Sequence, residues 1–154
     1  MKSNVTRTLE AQGIAHQQVE YLHVADAIDA ISVADRIGVD RACLFKTLVA
    51  RGDRSGPVVF CLPGSMELDL KKAAAITDNK RITLIPSREL LPTTGYVRGA
   101  CSPIGMTRPL PTWIDETATL FEQIYISAGI HGVQIRIAPQ ILCEFIGARF
   151  ADVT

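Results

Sequence analysis

Lys46 interrupts an apolar stretch, Phe45-Lys46-Thr47-Leu48-Val49. Strand side chains alternate between faces, so Phe45 and Thr47 would point one way and Lys46 the other. Two roles are open to such a lysine. It can face solvent from a half-exposed sheet, or stand at a cleft as a point charge for a phosphate or carboxylate. The second stretch with chemical potential is Gly95-Tyr96-Val97-Arg98-Gly99-Ala100-Cys101-Ser102-Pro103-Ile104-Gly105. It is too apolar for a solvated linker and too rich in glycine for a helix or regular strand. Glycine lets a backbone approach a ligand closely, and backbone N–H groups in such a loop can face an oxyanion or phosphate. A tight buried connection between two strands is the alternative.

Ser127 ends an apolar run and precedes Ala128-Gly129. It can cap a turn or offer its hydroxyl to a ligand. No aspartate or histidine surrounds it in a nucleophile-elbow pattern, so a Ser-His-Asp triad has little support. Cys101 is a formal nucleophile, but it would need a cation or base to depress its pKa, and Arg98 is the nearby candidate. His16, His23 and His131 are scattered and read as surface or internally satisfied residues.

Composition narrows the partners. The 154 residues are 47% hydrophobic and 21% charged, which fits one globular domain with a sizeable core. The formal net charge is +0. Proteins that grip long nucleic acids are usually basic, so any nucleic-acid contact should be local, such as one end of a strand, or aided by a partner protein. Cys43, Cys61, Cys101 and Cys143 form no C-x-x-C pair and have no histidine at ligand spacing, so no metal is expected. Cys61 and Cys143 read as core residues, and a reducing cytoplasm is the simplest compartment. No signal region or membrane-length apolar run is present.

The elements that must position these residues follow from periodicity. A short helix is expected over residues 6–12, a strand over 15–23, and a helix in the second half of 26–37, ended by Gly38. Residues 43–50 and 57–62 read as a hairpin across the turn chemistry of 51–56. A helix over 69–76 would bury Leu70, Ala73 and Ala74. A strand over 82–85 and a helical turn over 86–91 precede the glycine loop. Two prolines make 107–114 an edge strand. Strands 121–127 and 132–137 form a second hairpin. A closing helix over 139–150 would bury Ile141, Leu142, Phe145 and Ile146. The alternation of hairpins and helices predicts an α/β or α+β domain with a curved mixed sheet.

Four motifs taken together resemble the YbaK/EbsC family. They are Phe45-Lys46-Thr47-Leu48, Leu68-Asp69-Leu70-Lys71-Lys72, the loop from Gly95 to Gly105, and Ile124-Tyr125-Ile126-Ser127-Ala128-Gly129. That family comprises free-standing aminoacyl-tRNA deacylases related to the editing domain of bacterial prolyl-tRNA synthetases. The resemblance runs from about Tyr21 to Val153. It implies one domain over residues 1–154, with the sheet partly closed and surrounded by helices. It also implies a cytoplasmic enzyme of translation fidelity without cofactor or metal, acting on the 3′ end of aminoacylated tRNA(Pro), with prolyl-tRNA synthetase as a further partner.

Within the family, the chain is most similar to Cys-tRNA(Pro) deacylases. Their implied chemistry is substrate-assisted: the cysteine sulfur attacks its own ester, releasing a thiolactone and the tRNA. The family's catalytic positions fall on Lys46, Gly99 and Ser127. The resemblance implies substrate contacts at Tyr21, Thr47, Ala100, Ser102, Gly129 and Gln134. Gln134 stands where the family has an aspartate, and no aromatic residue occupies 29–31. Deacylation of another amino acid such as alanine, a binding module without turnover, and a cysteine hydrolase at Cys101 remain alternatives.

Overall fold

The computed structural model describes residues 2–25 and 27–154; Asp26, at the head of the predicted 26–37 segment, lies outside them. Helix α1 (Asn4–Ala11) starts where the Ser3 hydroxyl accepts from the Thr6 amide at 3.1 Å, and it buries Val5 and Leu9. Strand β1 (Gln17–Glu20) follows. Helix α2 (Ala30–Ile37) is capped by the Asp29 carboxylate and stops at Gly38, as its periodicity predicts. Strands β2 (Phe45–Gly52) and β3 (Gly56–Pro63) form the expected hairpin.

Asp69 caps α3 (Leu70–Ile76) by accepting from the Lys71 and Lys72 amides, so the Leu68 to Lys72 motif is a helix start. Strand β4 (Ile82–Leu84), helix α4 (Ser87–Thr94) and the glycine loop come next. Strands β5 (Thr112–Asp115), β6 (Ile124–Ser127) and β7 (Val133–Ile137), helix α5 (Pro139–Ile146) and strand β8 (Arg149–Ala151) complete the chain.

The mixed α/β class holds, with the sheet built in two parts. One part is antiparallel in the order β1-β7-β6; the other is mixed in the order β4-β2-β3-β5-β8. A bridge between Leu44 and Tyr125 joins them. Phe45, Val49, Val59 and Cys61 of the larger sheet pack with Ile124, Ile126, Ile135 and Ile137 of the smaller one. On the other face of the larger sheet, Ala50, Val58, Phe60 and Leu62 pack with Ala73 and Ala74 of α3 and with Val153. Burying each large apolar side chain contributes about 1.5–3 kcal/mol, and the two alternating faces of β2 and β3 are both used in this way.

Three expectations are corrected. Strand β5 is interior, parallel to both β3 and β8. Its two prolines, Pro109 and Pro111, precede the strand, so no ladder donor is lost. The last helix ends at Ile146 under the cap of Gly147, and Arg149–Ala151 turns back as β8. Leu70 and Ile141 are exposed, at 45% and 37%, while Ala73 and Ala74 of α3 and Leu142 of α5 take the buried face.

Candidate active site

A cavity of about 520 Å³ lies where the two sheets, α2, α4 and the glycine loop meet. Five consecutive residues, Phe45, Lys46, Thr47, Leu48 and Val49, line it. Alternating side chains cannot all face one cavity from one side of a sheet. They do so here because the cavity runs along an open edge of β2. Strand β4 pairs only with Ala50, Arg51 and Gly52, so among the described residues those from Phe45 to Leu48 have a strand partner on the β3 side alone. On that edge the Val49 carbonyl accepts from the Ile85 amide at 3.1 Å. Two-residue periodicity aims the Thr47 amide and carbonyl the same way, where no described strand meets them.

Lys46 therefore lines the cavity instead of pointing to bulk solvent from a sheet face. Its Nζ donates to the Gly64 carbonyl at 3.3 Å. Gly64 adjoins the start of α2, since a Cβ added there would lie 2.4 Å from Ala30 Cβ. Asp29 and Ala30 line the cavity too. The Asp29 carboxylate accepts from the Ser32 amide and hydroxyl, both at 2.9 Å, and these bonds, the backbone one foremost, hold its pKa below the ordinary aspartate value.

The glycine loop forms the opposite wall. Residues 97–100 make a β-turn closed by Ala100 N–H to Val97 carbonyl at 3.1 Å, with Gly99 at its third position and φ +83°. A residue with a Cβ is disfavoured there twice over: the turn needs positive φ, and the added atom would meet Ile28 Cβ at 2.9 Å. Several side chains fasten the loop. The Tyr96 hydroxyl donates to the Ile104 carbonyl, the Ser102 hydroxyl accepts from the Ile104 amide at 3.2 Å, and His131 Nε2 lies 3.1 Å from the Arg98 carbonyl. His131 stacks on His23 with ring centres 4.6 Å apart, so two histidines that look scattered in sequence meet beside the loop.

Ser127 reaches the cavity wall from the end of β6. Its hydroxyl donates to the Ala100 carbonyl at 3.0 Å and accepts from the Gly129 amide at 3.1 Å. Gln134 is its register partner on β7, which puts both side chains on one face. Gln134 is only 5% exposed, and its Oε1 has no hydrogen-bond partner among the described residues. Cys101 also lines the cavity, but burial pushes its thiol pKa up to about 12. An activated thiolate needs the opposite shift.

Lys46, Thr47, Gly99, Ser127 and Gln134 thus share one cavity, while four other sequence candidates do not line it. Tyr21 packs against the cluster of Val33, Ala34 and Leu44. Ala100 supplies the carbonyl that Ser127 holds, and Ser102 is fully buried within the loop. Gly129 lies against the Tyr96 ring. Sequence reasoning missed the contributions of Asp29, Ser87 and Leu90, and it gave Arg98 no part in ligand binding. Asp29 and Ser32 carry a recognisable capping pattern; the others carry no local signal.

Residues 25–145 match the family described as the aminoacyl-tRNA editing domain. The chain belongs to that family. A protein of Enterococcus faecalis (strain ATCC 700802 / V583), provisionally named Cys-tRNA(Pro)/Cys-tRNA(Cys) deacylase EbsC, is 40% identical over 153 residues, spanning 99% of this chain and 93% of that protein. A Bacillus subtilis (strain 168) protein, YwhH, is 27% identical over 112 residues, covering 73% of this chain and 71% of that one. A crystal structure described provisionally as a trans-editing enzyme for prolyl tRNA synthetase superposes on this editing domain with TM-score 0.85 and 27% identity, covering 97% of this chain and 94% of that one. A hypothetical protein, APE2540, has the same fold at TM-score 0.88 and 21% identity, over 97% of both chains.

Proposed function

We propose that this editing domain is a trans-acting deacylase that removes mischarged cysteine from tRNA(Pro). The carrying observation is the single cavity that holds Lys46, Gly99, Ser127 and Gln134 together. Its volume of about 520 Å³ suits one aminoacylated nucleoside terminus. Its cations, Lys46 and Arg98, are local, as a chain of net charge +0 requires if it is to meet one end of a nucleic acid. Similarity to a protein named as a Cys-tRNA(Pro)/Cys-tRNA(Cys) deacylase supports the substrate.

An aminoacyl ester is already activated, so the protein must position it and stabilise developing charge. Lys46 binds a phosphate or the terminal ribose. The backbone at Gly99 faces the ester, and the open edge at Thr47 takes the α-amino group. Ser127 keeps the glycine loop in place. No protein nucleophile is needed. The cysteine sulfur attacks its own ester carbonyl. The C–S bond forms as the C–O bond to ribose breaks, and the thiol proton ends on the departing ribose oxygen. The products are a thiolactone, later opened by water, and free tRNA.

A second sieve of this kind has a physical rationale. Cysteine and proline are similar in volume, and a difference on the scale of a methylene gives a synthetase only about 1–3 kcal/mol of discrimination. Prolyl-tRNA synthetase is then the upstream partner, and the cytoplasm is the compartment this role requires. The test is incubation with Cys-, Ala- and Pro-tRNA(Pro), resolved on acid gels. Loss of the cysteinyl ester alone is expected. Survival of all three esters, with binding retained, would make the cavity a binding module; loss of the alanyl ester instead would reassign the substrate.

A further inference from the structure

Gln134 sits mid-sheet on β7, paired with Val19 on one side and Ser127 on the other. It is 5% exposed, it lines the cavity, and its Oε1 is a buried oxygen without a hydrogen-bond partner among the described residues. Other polar side chains of the wall are engaged within the protein: Ser127 with Ala100 and Gly129, Lys46 with Gly64, Asp29 with Ser32. A buried acceptor has given up its water and recovers that loss only when a donor arrives. The remaining wall includes Val33, Leu44, Phe45 and Val49, all buried and apolar. Apolar surroundings disfavour an incoming charge, and a carboxamide has no charge with which to neutralise one.

We infer that Gln134 is the specificity-determining residue of the cavity: its Oε1 accepts a hydrogen bond from a neutral donor on the acyl side chain, a thiol or a hydroxyl. The inference rests on the deacylase reading and adds a substrate class, small aminoacyl esters with S–H or O–H on the β-carbon. An alkyl side chain of the same shape leaves the already buried Oε1 without a partner. Discrimination against an analogue lacking the donor follows from the unpaired group, not from size.

The test uses adenosines whose 3′-amino group carries the acyl group as an amide, so that binding is read without turnover. Cysteinyl, seryl and 2-aminobutyryl versions are titrated into the full chain by calorimetry; the last keeps the shape of cysteine with a methyl group for the thiol. The wild type should bind the cysteinyl and seryl compounds roughly tenfold more tightly than the 2-aminobutyryl one. Gln134→Met and Gln134→Leu should each erase that gap while keeping affinity for the 2-aminobutyryl compound. Equal binding of the three compounds by the wild type overturns the inference, whatever the variants do. A gap that persists in a folded Gln134→Met variant overturns it too. If no compound binds and Cys-tRNA(Pro) stays intact, the deacylase reading falls and takes this one with it; binding without the gap sinks this one alone.

Discussion

The Ser127 hydroxyl donates to the Ala100 carbonyl at 3.0 Å, across 27 residues of sequence. The same oxygen accepts from the Gly129 amide. One side chain therefore ties the glycine loop to the end of β6, and its proton is already committed. These two bonds suit a positioning role for Ser127 rather than a nucleophile's. Ser127→Ala leaves a buried carbonyl and an amide without this partner, at a cost of about 1–3 kcal/mol. Urea unfolding should record that loss, and the deacylation rate should fall with it as the loop loosens. Lost activity at unchanged stability would instead place the hydroxyl on the substrate.

Gly99 should tolerate no side chain. At φ +83° an L-residue pays about 1–2 kcal/mol, and an alanine Cβ would also meet Ile28 Cβ at 2.9 Å. Relief requires the loop or Ile28 to move, and both line the cavity. Gly99→Ala is expected to fold, to melt at lower temperature, and to lose deacylation out of proportion to its stability. Wild-type kcat/KM in that variant would remove the loop backbone from the mechanism.

Lys46 offers the complementary case. Among the described residues its ammonium makes one hydrogen bond, to the Gly64 carbonyl, and the side chain is partly exposed. The fold therefore loses little in Lys46→Ala, whereas deacylation should drop on the order of a hundredfold, the loss typical of removing one stabilising donor. Matching thermal melts beside single-turnover rates would separate the two effects.

The sequence made this lysine visible, because a cation breaking an apolar strand is a local signal. The glycine loop was visible for the same reason, and so were the Gly38 end of α2 and the β2–β3 hairpin. Pairing between distant segments left no such trace. Strand β5 is flanked by β3 and β8, and β8 comes from residues 149–151, which continue the apolar pattern of α5. Gly147 marks the break between them, a signal that the helical periodicity masks. Lys46 lines the cavity because β4 stops pairing at Ala50. That register has no signature in the residues of β2. The stacking of His23 on His131 likewise depends on a contact that neither neighbourhood encodes.

Cys101 provides a chemical control. Burial pushes its thiol up to about 12, so almost no thiolate exists at pH 8. Iodoacetamide at that pH should label it slowly and leave deacylation intact. Cys101→Ala should keep most activity. Rapid inactivation, blocked in the alanine variant, would restore the cysteine-hydrolase reading.

Asp29 links acidity to the cavity wall. Its carboxylate caps α2, whose first turn carries Ala30 and Val33 on that wall. Its pKa is lowered in the folded chain by the bonds to Ser32. A depressed native pKa stabilises the fold at pH above the unfolded aspartate value, near 4. That contribution is lost as pH falls through the lower native value. Asp29→Ala removes the cap and should cost about 1 kcal/mol at pH 7. Asp29→Asn keeps a capping oxygen but cannot titrate. Its melting temperature should sit close to wild type at pH 7 and fall less than wild type between pH 5 and pH 3. Asp53 and Asp152, whose pKa values are also lowered, owe their shifts to other neighbours and cancel in the difference, whereas Asp35, which the Asp29 charge pushes upward against the larger lowering by Arg41, loses that push in the variant. Parallel acid profiles for wild type and Asp29→Asn would show that the cap contributes no charge-dependent stability to α2.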